Sequence, residues 1–219
     1  MRISPPALLV SLLTLSGLAC ALSAGPFFET TPPQLAAGSV LFQDDFSDPT
    51  SGWNSLQSAE GVMSYDGGGY RFLVNALQAQ FWATPPKSAR DVRIEVDAGK
   101  LGGPDENRIG VICRYSGNDY YFFIITSDGF YGLGLFQNGK ATLLNAPEMQ
   151  SSPVIKTGLA VNHLRADCIG EKLSLYVNGE LLAEAHDATL KEGEMGLLAG
   201  TFSHPGVDVI FDHFVATQP

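Results

Sequence analysis

Downstream of residue 39, apolar and polar positions alternate with a period of two, in short runs broken by turn residues. In DVRIEVDA, for example, Ile94, Val96 and Ala98 fall on one side, and Arg93, Glu95 and Asp97 on the other. Such a run predicts a strand with one buried and one wet face. Thirteen runs read as strands: VLFQDDF, YRFLVN, QAQFWA, DVRIEVDA, RIGVICRY, DYYFFIIT, FYGLGLFQ, KATLLN, NHLRADCI, KLSLYVN, ELLAEAHD, GEMGLLAG and VDVIFDHFVA. Three connections carry turn chemistry: Ser127-Asp128-Gly129, Gln137-Asn138-Gly139-Lys140 and Val177-Asn178-Gly179-Glu180. Asn-Gly tolerates positive φ at both central positions, as a two-residue hairpin requires. No sustained helical period interrupts the strands, and DATLKEG offers at most one turn. The pattern predicts an all-β domain over residues 39–219, a two-sheet antiparallel β-sandwich or jelly roll.

The run DYYFFIIT departs from simple alternation because both of its faces are apolar. If Tyr121, Phe123 and Ile125 point into the sandwich, Tyr120 and Phe122 lie on the outer face of the same sheet. By the same alternation Arg114 joins them.

The chain opens on a different pattern. Arg2 precedes an apolar run from Ala7 to Leu18, and small residues follow around Cys20. This is the order of a secretory signal, and the run is shorter than the roughly 20 residues that span a bilayer. Gly17-Leu18-Ala19-Cys20 resembles a bacterial lipobox, which makes Cys20 the lipidated first residue of a mature lipoprotein. Cleavage at Ala19-Cys20-Ala21 as a freely secreted product, or retention as an uncleaved anchor, are the alternatives. All three put the domain outside the cytoplasm. Residues 1–20 are thus read as a leader. Residues 21–38, interrupted by Pro26, Pro32 and Pro33, are read as a linker.

Composition narrows the function classes. With 45% hydrophobic residues the chain is not disordered. A formal net charge of −10 argues against a basic patch for nucleic acid or an anionic membrane surface. Removing residues 1–19 takes Arg2 with it, leaving 12 basic against 23 acidic residues, a net of −11. The membrane is then reached through the N-terminal lipid alone. With Cys20 assigned to processing, Cys113 and Cys168 remain as a pair in an oxidising compartment. If their strands adjoin, a disulfide contributes about 4 kcal/mol by restricting the unfolded chain; two separately buried thiols are the alternative.

Three stretches, DDFSDPTSGW (44–53), GPDENRIGVICRYSGNDYYFFIITSDGFYGLG (103–134) and LRADCIGEKLSLYVNGELLAEAHD (164–187), together with GLLAG and VDVIFDHFV, resemble the concanavalin A-like, laminin G-like jelly rolls of bacterial extracytoplasmic proteins. The resemblance implies a concave sheet face where lectins of this architecture bind glycans. Rings stack there on the apolar faces of sugars while polar side chains bond the hydroxyls. Candidate ligand residues on that face are Arg93, Glu95, Asp97, Arg114, Tyr120 and Phe122, with Trp82, Tyr131 and Trp53 as further aromatic candidates; the alternative is that these rings only fill the core and strand edges. The same architecture commonly pairs its first and last strands, which suggests a calcium site at Asp44, Asp45 and Asp212.

Glucanases of this fold carry E-x-D-x-x-E on one strand. Here Glu95 and Asp97 are followed by Lys100 at the second Glu position. A retaining glycosidase needs a proton-donating carboxyl there, which Lys100 does not supply. No nucleophile elbow, zinc-protease or nucleotide-binding motif occurs, and His163, His186, His204 and His213 lack metal spacing. The expectation is a non-catalytic, extracytoplasmic, lipid-anchored module that binds carbohydrate or another cell-envelope ligand without a cofactor, unless calcium assists. A structural or protein-interaction module and a degenerate hydrolase are the alternatives.

Overall fold

The computed structural model describes residues 36–219. Cys20, the leader and nearly all of the linker lie outside the described residues. From the N-terminal side the strands are β1 (Val40–Asp44), β2 (Leu56–Gln57), β3 (Gly61–Asp66), β4 (Gly69–Val74), β5 (Gln80–Ala83) and β6 (Ser88–Ala89). Then come β7 (Val92–Gly102), β8 (Asn107–Ser116), β9 (Asp119–Ile125), β10 (Phe130–Gln137), β11 (Lys140–Leu143) and β12 (Gln150–Ser151). The chain closes with β13 (Val161–Ile169), β14 (Lys172–Val177), β15 (Glu180–His186), β16 (Gly193–Thr201) and β17 (Val207–Thr217).

They form two antiparallel sheets. A nine-stranded sheet runs β15-β14-β13-β7-β17-β4-β3-β2, with β1 also paired to β17. An eight-stranded sheet runs β11-β10-β9-β8-β16-β5, with β12 on β10 and β6 on β16. All thirteen expected runs are strands. Asn138 and Gly139, like Asn178 and Gly179, all have positive φ, so the Asn-Gly hairpins close as their chemistry requires. The strands β2, β3, β6 and β12 were not expected. Three of them are two residues long, and β3 interrupts its apolar pattern with Ser64 and Asp66. DATLKEG forms no helical turn. The Leu190 amide donates to the Tyr121 hydroxyl at 3.0 Å and the Thr189 amide to Asp187 at 2.8 Å, which holds this stretch open.

Between the sheets, one side of each strand supplies the core: Ile94 and Val96 of β7, Leu164 and Ala166 of β13, Phe72 of β4 and Phe211 of β17 face Val111, Phe123 and Leu133 of the other sheet. A cluster of rings closes one end, with Trp53 edge-on to Phe214 at 4.9 Å and tilted against Phe46 at 5.3 Å. The Trp53 indole N–H donates to Asp44 at 2.9 Å, so the only polar atom of this ring is satisfied within the core. Cys113 and Cys168 form a disulfide. The pairing is the one expected, but it does not need adjoining strands: β8 and β13 belong to opposite sheets, and the bond crosses the sandwich.

Candidate functional site

The alternation of β9 holds. Tyr121, Phe123 and Ile125 enter the main core, while Tyr120, Phe122 and Ile124 form a second, smaller apolar cluster with Ile112 and Leu198 on the outer face of the eight-stranded sheet. Trp82 of β5, Tyr115 of β8 and Phe136 of β10 pack on that cluster and are only partly buried. Tyr120 stacks on Phe136 at 5.0 Å between ring centres, 13° from parallel, and Trp82 lies 5.5 Å from Tyr120. Burial pushes the Tyr120 phenol well above its ordinary pKa, although the nearby Arg108 cation and the amide of Gln80 oppose the shift. Tyr120 is therefore neutral at physiological pH and forms part of the buried base on which Trp82 and Phe136 pack.

Glycine shapes this surface. A Cβ at Gly134 would lie 2.3 Å from the Phe122 ring, and one at Gly132 would lie 2.8 Å from Leu143. The missing side chains leave room for the Phe122 ring and for Leu143, both of which line a groove of about 580 Å³ on this face. Trp82, Phe122, Ile124, Phe136, Leu143 and Met149 give it an apolar floor and wall; Gln78, Gln80 and Arg108 bring polar groups to it. The Arg108 guanidinium stacks over Phe202 at 3.9 Å and donates from Nη1 to the Thr201 carbonyl at 2.8 Å. Burial holds its pKa below the ordinary arginine value.

The sequence-predicted residues divide between two faces: Tyr120, Phe122 and Trp82 lie on this one, and the residues of β7 do not. Arg93, Glu95 and Asp97 project from β7, which lies in the nine-stranded sheet, so they sit on the opposite surface of the sandwich from Tyr120, Phe122 and Trp82. There they face the polar side chains of β13: Arg93 stands opposite Asp167, Glu95 opposite Arg165, and Asp97 opposite His163. Asp167 accepts from Arg93 at 2.9 Å and from Arg165 at 2.9 Å. His163 Nδ1 lies 2.8 Å from Asp97. His213, with φ of 53° in a bulge of β17, sets its Nδ1 3.3 Å from Asp97 and 3.4 Å from Asp212.

Arg114 is a second correction. A bulge in β8 gives it a φ of 54° and breaks the alternation. Its side chain, only 2% exposed, turns to the sandwich edge, where it donates to the carbonyls of Arg90, Leu190 and Gly170 at 2.7–2.9 Å. It is a structural clamp joining three loops. Tyr131 and Trp53 also face the main core rather than the groove.

The calcium candidates do not fit either. Asp44 turns inward and accepts from the Phe46 amide, Ser51 and Trp53. Asp45 accepts from the Ser47 hydroxyl and amide, which hold its pKa below the ordinary value. Asp212 accepts from the His213 amide. Pairing of β1 with β17 brings the strands together as expected, yet these carboxylates serve turns and a buried indole. No group of three metal-ligating side chains converges among the described residues.

Sequence reasoning missed Arg108, Gln80, Phe136 and Phe202. The first and third were within reach: Arg108 shares a parity with Gly110 and Ile112, and Phe136 with Gly134. The close approach of Leu143 to Gly132 and of Phe122 to Gly134 carries no signature in one sequence.

Comparison with solved structures recovers the same architecture. A carbohydrate-binding module CBM66 from Bacillus subtilis matches with a TM-score of 0.62 and 18% identity, over 76% of this chain and 96% of that one. The fold is a jelly-roll β-sandwich. A protein of unknown function with a galectin-like fold, also from Bacillus subtilis, matches at 0.63 and 12% identity over 84% and 97% of the two chains. A GlcNAcα1-4Gal-releasing endo-β-galactosidase from Clostridium perfringens matches at 0.59 and 12% identity over 88% and 66%. No family model matches the chain, and no curated protein does. At these identities the likeness is one of fold.

Proposed function

We propose that the jelly roll is a non-catalytic carbohydrate-binding module of the cell envelope, lipidated at Cys20, that takes a glycan in the groove across its eight-stranded sheet. The aromatic floor of that groove carries the reading: Trp82 and Phe136 are partly exposed and stand around a buried Tyr120–Phe122 base, as stacking on the apolar face of a sugar ring requires. The fold is also that of a carbohydrate-binding module. A disulfide crossing the core suits an oxidising compartment outside the cytoplasm. A purely structural module would have been favoured by a flat sheet face, and this one is grooved.

A hydrolase on β7 receives less support. Asp97 is engaged by two imidazoles, and Lys100, in the place of the second glutamate, pairs with Asp105. The test is retention on immobilised envelope polysaccharides and on a glycan array. Trp82→Ala and Phe136→Ala are each expected to weaken binding about 10-fold or more, the worth of one stacked ring. Unchanged retention in both variants, or no glycan retained by the unaltered protein, would overturn the reading. Mass spectrometry of the mature N-terminus decides the acylation of Cys20.

A further inference from the structure

Resting on that reading of the groove, we propose that the glycan it takes is acidic, with a hexuronate carboxylate seated on the free edge of the Arg108 guanidinium. In a chain with nearly twice as many acidic as basic residues, the groove contains one cation and no carboxylate among its lining residues. Arg108 forms no ion pair among the described residues. Its hydrogen bonds to protein are both made by Nη1, to the carbonyls of Thr201 and Ala79, so Nε and Nη2 remain without a protein acceptor. Among the described residues no fully buried side-chain nitrogen lacks a partner, so these two donors are not sealed from solvent.

The acid immediately before the strand, Glu106, lies beside Ser203 and His204, 3.4 and 3.6 Å away. Every other arginine bar one is ion-paired: Arg71 with Asp66 and Asp208, Arg93 and Arg165 with Asp167, Arg114 with Asp91, and Arg90 more loosely with Glu192. The exception besides Arg108 is Arg2, which lies outside the described residues.

The chemistry is specific. A guanidinium presents Nε–H and Nη2–H as a planar fork that matches the two oxygens of a carboxylate, and charge assistance roughly doubles the strength of such bonds. Phe202 lies under the guanidinium plane and Thr201 fixes Nη1, so the fork is held before ligand arrives. Partial removal of the cation from water, seen in its lowered pKa, is a cost that a carboxylate partner offsets. With Trp82 and Phe136 in the same groove, one sugar ring can stack while its carboxylate reaches Arg108.

The experiment uses oligosaccharides of galacturonate, glucuronate and mannuronate, each paired with its carboxyl-reduced neutral counterpart, so that only the carboxylate differs. Calorimetric titration at low salt is expected to show at least one acidic member bound about 10-fold or more tightly than its reduced form. That ratio should shrink at high salt, fall to about one in Arg108→Gln, and be partly retained in Arg108→Lys, which keeps the charge without the fork. Circular dichroism and thermal midpoints of both variants separate loss of the fork from loss of fold. If reduced forms bind as well as acidic ones, in a Trp82-dependent way, the acidic preference is overturned and the glycan reading stands. If a preference exists but survives Arg108→Gln, the assignment to Arg108 fails. If neither acidic nor neutral sugars bind here or on the glycan array, both readings fall.

Discussion

On the outer face of the nine-stranded sheet, Arg93 stands opposite Asp167, Glu95 opposite Arg165 and Asp97 opposite His163, and Asp212 shares His213 with Asp97. The outer face of the eight-stranded sheet instead gathers Trp82, Tyr120, Phe122 and Phe136 around one guanidinium, that of Arg108. Both faces are made by alternating strands over a shared core, yet on the first the protein answers its own charges and on the second it leaves apolar surface and a cation for something else. A strand face that is self-satisfied has little reason to bind; a grooved, aromatic face with unanswered donors has one. Chemical variety drew attention to the polar face of β7, but pairing across strands accounts for that variety.

The strongest coupling between the two faces is the Cys113–Cys168 bond, because it ties the strand beneath the groove to a strand of the charged face. The variant with both cysteines replaced by alanine is expected to lose about 4 kcal/mol, the loop-closure entropy of a 55-residue separation, with a matching fall in the thermal midpoint. Calorimetric unfolding of the variant, and of the native protein with and without reductant, checks this. Both faces should be lost in one transition, since they share a core; separate transitions would show that each sheet stands alone.

A smaller effect belongs to the charged face. Burial alone would raise the pKa of Asp167, but hydrogen bonds from Arg165 and Arg93 outweigh it and hold the carboxyl below the ordinary aspartate value. The folded state therefore binds this proton more weakly than the unfolded chain. The resulting stabilisation is complete above the unfolded value, near pH 4, and disappears as pH falls through the lower folded value. Asp167→Asn is expected to cost about 1–2 kcal/mol at neutral pH, after allowance for solvent screening of its partly exposed arginine partners. It should also flatten the acid limb of a stability-against-pH curve measured by chemical denaturation. Glycan retention at neutral pH should not change, because the groove lies on the other sheet.

The contrast between faces was only partly legible in the sequence. Period-two alternation placed the thirteen principal strands, and the doubly apolar run at Tyr120–Ile125 announced a second apolar surface. Which strands share a sheet was not legible, because β7 and β8 are consecutive in the chain but diverge into opposite sheets. Arg93 and Tyr120 were assigned to one face on the assumption that they did not. Arg114 was misplaced for a local reason: one inserted residue with positive φ between Cys113 and Tyr115 turns every inference from parity at that point. The room for Leu143 and Phe122 at the groove depends on Gly132 and Gly134 beside them, a relation between strands that no single run displays.

Glu95→Gln combined with Asp97→Asn removes the two carboxylates that resemble a glucanase motif while keeping their shape. Both side chains are about 40% exposed, with partners in solvent contact, so the pair should contribute no more than about 0.5 kcal/mol to stability. On the assignment of binding to the groove, the double variant retains glycan as the unaltered protein does, while Trp82→Ala does not. Loss of retention in the double variant with an unchanged thermal midpoint would move the binding face to the nine-stranded sheet, and Arg108 would then need another explanation for its unpaired fork. The variant is informative because it perturbs the chemically richer face by so little: any large change in binding must come from contact with ligand rather than from the fold.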